Sequence, residues 1–197
     1  MAGEQSKNLA FVKPGRTCET RLNFDKGVAM PTTNPFEIML LHNQWANRQM
    51  LKTCAKLTSE QFHQRFEMGC GSLHDNLVHV LSSTRAWGDM LAGIEPRPRM
   101  DQDGSQWTAN ELLPINDELC TLFATVALAH PFSEIATGSR GGKKYSFPRG
   151  GVISHVMTHA MHHRAQCLNM LRQIGVDPLP PSSVVEWMLK VDSSATK

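Results

Sequence analysis

The sequence has no Cys-x-x-Cys pair, no long apolar run and almost no net charge. Its five cysteines, Cys18, Cys54, Cys70, Cys120 and Cys167, are odd in number and irregularly spaced, which argues against a disulfide framework and for a reducing, cytoplasmic setting. Free cysteines within helical patterns read as small buried apolar groups. No window reaches the ~20 apolar residues needed to cross a membrane. The opening "MAGEQSKNLAFVKPGR" lacks the basic-then-apolar layout of a secretory signal. The formal charge is only +2, and the basic clusters (Arg97/Arg99 and Arg140/Lys143/Lys144) are too sparse for a nucleic-acid surface. Internal repeats and low-complexity segments are also missing. What these absences leave is an ordinary globular chain of 197 residues, 41% hydrophobic and 19% charged, long enough for one sizeable core.

Apolar spacing divides the chain. Residues 1–33 are polar and weakly periodic, with Pro14 and Pro31, and read as an extended arm. Residues 34–192 read as one domain. Asn34 and Pro35 have the chemistry of a helix start, and Phe36, Met39, Leu40, Asn43, Asn47, Met50, Leu51 and Cys54 then recur at three- and four-residue steps. A second helix is expected within 70–93 and is ended by the Gly/Pro-rich "GIEPRPRMDQDG". A third runs from about Asn110 to Ala129, with Pro114 near its start. "PFSEIATGSRGGKKYSFPRGG" reads as a loose hairpin or long loop. A fourth helix, about 151–174, stops at Gly175, and "SSVVEWMLKV" forms a short C-terminal helix. The expected fold is all-α: a four-helix bundle with a long loop or hairpin before its fourth helix.

The fourth helix holds "HVMTHAMHHRAQ", with four histidines in nine positions. At ~100° per residue, with His155 at zero, His159 lies near ~40°, His163 near ~80° and His162 near ~−20°. The apolar face of this helix covers roughly 60° to 160°, so His159 and His163 point at or beside the core and His155 and His162 stand at its rim. Arg164, near ~180°, is expected past the opposite edge with its stem reaching solvent. Two histidines four apart on a helix are a common pair of ligands for a divalent metal. A third must come from another helix. Among His42, His63, His74, His79 and His130, His79 fits best, being mid-helix on the face of Asn76, Ser83, Trp87 and Met90. The alternative is a set of neutral, hydrogen-bonded core histidines, each of which needs a buried partner. A di-iron carboxylate site is excluded, because the fourth helix has no acid before Asp177.

Three blocks resemble the DinB superfamily of four-helix-bundle metalloenzymes. "HNQWANRQML" is similar to its N-x-W-A-N opening, and "LVHVLSSTRAW" to its histidine followed eight residues later by tryptophan. "HVMTHAMHHRAQ" is similar to H-V-x-N-H-x-x-H-H-R-G-Q, and "LRQIGVDPLP" continues the match, which spans roughly residues 34–190. Ala165 stands in place of the family's glycine. Thr158 stands in place of its asparagine, which changes what can orient His159. The resemblance implies a divalent metal, commonly nickel or zinc, on His79, His159 and His163, with water completing the shell. It also implies thiol-dependent transferases or an isomerase using low-molecular-weight thiols as relatives, and a homodimer. The function expected is a metal-dependent S-transferase or hydrolase acting on a small molecule, with Asn47, Asn76, His155, His162 or Gln166 orienting substrate or ligands. Gln166, near ~20°, is placed to bond a ligand's other nitrogen. A non-catalytic bundle with a structural metal is the alternative, and it wants a fourth protein ligand that the sequence does not make evident. Helix-mediated DNA binding has little support.

Overall fold

Side-chain caps start most of the helices. Asn34 accepts from the N–H of Phe36 and opens α1 (Pro35–Cys54), with Pro35 in its first turn. Thr58 and Gln61 form a reciprocal capping box on the short α2 (Ser59–His63). Ser72 caps α3 (Leu73–Ala92), which ends in left-handed Gly93. Thr108 and Glu111 box the start of α4 (Ala109–Leu128), so the helix begins ahead of Pro114 and runs through it. After the hairpin strands β1 (Ile135–Arg140) and β2 (Lys143–Pro148) come α5 (Arg149–Gln173) and α6 (Val184–Val191). This computed structural model describes residues 32–191, so nearly all of the expected arm, residues 1–33, lies outside the described residues.

The fold is mostly helical, and of the loop or hairpin expected before the fourth helix it is the hairpin that forms, so the fold is not strictly all-α. The segment before α5 is a regular antiparallel hairpin, with Ile135 opposite Pro148 and Arg140 opposite Lys143. Gly141 and Gly142 turn it with φ of 57° and 76°, the paired positive values of the tight turns that match strand twist. Its Gly138 lies against α3, where an added Cβ would stand 2.9 Å from Met90 Cγ.

The four long helices pack in the cyclic order α1, α4, α3, α5. Asn76 near the start of α3 meets His163 and Met170 late in α5, while Arg149 at the start of α5 reaches Leu91 at the end of α3, so these two run antiparallel. One apolar cluster joins Met50, Leu51, Leu77, Leu112, Met170 and Leu171, and a second joins Leu40, Met90, Phe123, Val152 and Val156. Helices α1 and α5 therefore share one direction, and α3 and α4 the other.

Two buried arginines tie the helices together. Arg149 donates to the carbonyls of Leu91 and Val126, where α3 and α4 run out of intrahelical partners. Arg164 does not reach solvent as its helical angle suggested. It is 3% exposed, and its guanidinium donates to Asn43 Oδ1 and Asn47 Oδ1 on α1. Burial pulls its pKa down to about 10. The reason lies in the cyclic order: α1 packs on α5 beside the histidine face, so that side of α5 is also interior. Outside the bundle, α6 seats Trp187 at 0% exposure, and His42 donates through Nε2 to the Ser182 carbonyl just before it, 2.9 Å away.

Candidate metal centre

Helix α5 presents His159 and His163 one turn apart, and α3, packed alongside, brings His79 between them. The ring centroids lie 4.6 Å apart for His159–His163, 4.8 Å for His79–His163 and 5.1 Å for His79–His159. His163 is buried at 8% exposure, and His79 and His159 are half-buried.

Two of the rings are oriented from behind. His79 Nδ1 donates to Asp101 Oδ2 at 2.8 Å, and His163 Nδ1 donates to Asn76 Oδ1 at 2.9 Å. A neutral imidazole that donates through Nδ1 keeps Nε2 as its lone-pair nitrogen, so both rings offer Nε2 to the space between the helices. His79 Nε2 stands 3.2 Å from His159 Nε2. Two nitrogens bound at about 2.0–2.1 Å to one tetrahedral ion stand about 3.3 Å apart, so this spacing fits a shared ion. Thr158, at the family's asparagine position, bonds back to the Ser154 and His155 carbonyls of its own helix.

Electrostatics favour the neutral form of two of these rings. Burial lowers the His159 pKa to about 4, with neighbouring His163 and His79 adding to the effect, and burial likewise lowers His163. Both imidazoles are thus neutral near pH 7, as a metal requires. Burial alone would raise the Asp101 carboxyl, but hydrogen bonds from Arg99, His79 and Ser82 outweigh it and hold the group well below the usual carboxylate range. The Asp101 carboxylate behind His79 fixes the orientation of the ring.

The remaining candidates divide. Asn76 orients His163, with its own amide donating to the Ser72 carbonyl at 2.7 Å. Asn47 is 1% exposed and holds Arg164 on the far side of α5, away from the cluster. The Gln166 amide donates to His162 Nε2 at 2.9 Å, and the same side chain also hydrogen-bonds His163 of the cluster. His155 and His162 are exposed, and His155 lies edge-on to Trp87 at 5.0 Å. Phe147 of the hairpin continues that aromatic wall, 6.0 Å from Trp87. The other histidines have partners elsewhere: His63 stacks on His74, His74 sits between Asp75 and the Trp107 N–H, and His130 bonds Glu134.

Two residues at the cluster were missed. Asp101 belongs to a one-turn 3-10 helix (Met100–Gln102) inside a Pro/Gly-rich connection, where no period marks it. Cys70 has no role assigned from the sequence, yet its Sγ and ring nitrogens of His79 and His163 all lie within 4.8 Å of one another. Burial raises the Cys70 thiol pKa, with Asp75 and Asp101 adding to it. Cys70, His79 and Asp101 also line a cleft of about 350 Å³ with His74, Ser105 and Gln106.

Three imidazoles thus gather between two adjacent, antiparallel helices of a helical bundle. The DinB family model matches residues 30–186, and the chain belongs to the DinB family. Among solved structures, a DinB-like protein from Bacillus cereus ATCC 10987 is similar in fold, with a TM-score of 0.60 and 17% identity over 75% of this chain and 95% of that one. No curated protein matches the chain.

Proposed function

We propose that this DinB-family chain is a metal-dependent enzyme whose divalent ion, nickel or zinc, sits on His79, His159 and His163, and that it transfers a low-molecular-weight thiol to a small electrophile. The observation that carries this reading is the pairing of His79 Nδ1 with Asp101 and His163 Nδ1 with Asn76, which leaves Nε2 lone pairs converging beside His159. An ion held there supplies Lewis acidity that makes a thiol or a water molecule nucleophilic near neutral pH. Asp101 and Asn76 fix the rings. The exposed His155 and His162 lie next to His159 and His163 and would orient the substrate, and the 350 Å³ cleft beside His79 has room for a small molecule. Hydrolysis at the same site is the variant in which water takes the place of the thiol.

The free state of all four described cysteines supports a reducing, cytoplasmic location. Among the described residues no helix is long and apolar enough to cross a membrane. We also propose a homodimer, as the family resemblance implies, which sedimentation velocity tests.

A second reading, a non-catalytic bundle with a structural metal, is favoured by one observation. Cys70 Sγ lies within 4.8 Å of ring nitrogens of His79 and His163, close enough to be the further protein donor that a closed site needs. The two are separated by assaying transfer of a small thiol to an electrophile with metal-free and metal-loaded protein. Metal-dependent turnover lost in His159→Ala supports the enzyme; a loaded protein inert toward thiols and esters supports the structural reading.

A further inference from the structure

The triplet Gly69-Cys70-Gly71, just before α3, has no part in a three-histidine site, yet it is built with care. Both glycines have positive φ, 56° and 93°, values that L side chains rarely adopt. A Cβ on Gly69 would stand 2.4 Å from Gln166 Oε1 and 2.5 Å from Asn76 Oδ1. A Cβ on Gly71 would stand 2.0 Å from the Arg65 guanidinium. Only glycine lets the backbone settle this closely against α3 and α5.

The result is a fixed place for the residue between them. The Cys70 N–H faces Asn76 Oδ1 at 3.4 Å, the same oxygen that accepts from His163 Nδ1. One asparagine therefore holds both the loop and the ring. Cys70 Sγ falls within 4.8 Å of the ring nitrogens of both His79 and His163, while His79 Nε2 already stands 3.2 Å from His159 Nε2. The other three described cysteines are buried, and Cys54 and Cys167 lie inside the apolar core.

We propose that Cys70 is a fourth protein donor, so that the resting site is three imidazoles and one thiolate. The inference rests on the three-histidine reading. On metal binding the thiol gives its proton to solvent, and a metal–sulfur bond forms where an exogenous thiol would otherwise bind. Because Cys70 also lines the open cleft, that position is accessible from solvent and exchangeable. A thiolate donor tilts the site toward softer ions such as zinc and away from magnesium or manganese.

Cobalt(II) titration of the metal-free protein tests this, because sulfur-to-cobalt charge transfer absorbs in the near ultraviolet and imidazole ligation does not. The wild type is expected to develop that band up to one equivalent of cobalt. Cys70→Ser and Cys70→Ala are expected to lose it while still binding cobalt roughly tenfold or more weakly, with unchanged circular dichroism. Cobalt uptake without the band, or a band that survives in both variants, overturns the proposal and leaves the histidine site standing. If the wild type takes up no stoichiometric cobalt, the histidine reading fails and this inference fails with it. A measurement on the unaltered chain guards against misfolded variants: one equivalent of zinc should slow alkylation of Cys70 by iodoacetamide, and an unchanged rate contradicts metal ligation.

Discussion

Each imidazole has two nitrogens, and which one can face an ion depends on what holds the other. Asp101 and Asn76 decide this for His79 and His163. Replacing Asp101 with alanine is therefore expected to weaken metal binding by about 10–100-fold, read by calorimetric titration. Wild-type affinity in that variant would mean that the carboxylate serves only Arg99 and Ser82. His163→Ala should abolish stoichiometric binding and His155→Ala should leave most of it, since the first ring is buried in the cluster and the second is exposed beside it. Equal losses would remove the distinction between the two sides of the helix. That distinction was legible in the sequence because helical geometry fixes relative directions once a helix is identified. The ring partners were only half legible: Asn76 shares a helix face with His79, but Asp101 lies 22 residues away in an irregular segment. Cys70 was hidden for a similar reason, because its position depends on two glycine conformations that leave no periodic trace.

Helix α5 carries two polar systems on different sides, the histidines toward α3 and Arg164 toward α1. Asn47→Ala takes one acceptor from a buried guanidinium, so a stability loss of about 1–3 kcal/mol is expected in chemical denaturation, with metal affinity unchanged. A metal defect without a stability loss would place Asn47 at the site instead. The sequence misplaced Arg164 because angle alone does not tell which faces of a central helix are covered; that depends on the order in which helices pack. The histidines also couple α5 to pH. Burial sets His159 at about 4 and lowers His163, both below the ordinary 6.5, so between those limits the unfolded chain binds more protons than the folded one. Stability of the metal-free protein should be flat above about 6.5 and fall as pH drops toward about 4. In His159→Gln this slope should be shallower, which urea titrations across the window measure. An identical slope would show that His159 titrates normally when folded.

The whole bundle supplies what no single helix can. With α3 and α5 adjacent and antiparallel, the first half of α3 meets the second half of α5, and three histidines separated by up to 84 positions become neighbours. The four long helices were legible from periodicity, whereas the short α2, the hairpin's pairing and the cyclic packing order needed three dimensions. The measurement that bears most directly on the site is metal stoichiometry by elemental analysis, made on the purified chain and on His79→Ala, His159→Ala and His163→Ala, each from about pH 5 to about pH 8. One equivalent of nickel or zinc is expected in the wild type, with affinity falling below about pH 6 as the imidazoles take up protons, and loss of that equivalent in every variant. Retention of one equivalent in all three variants, or an affinity flat across that range, would contradict a site built on these histidines.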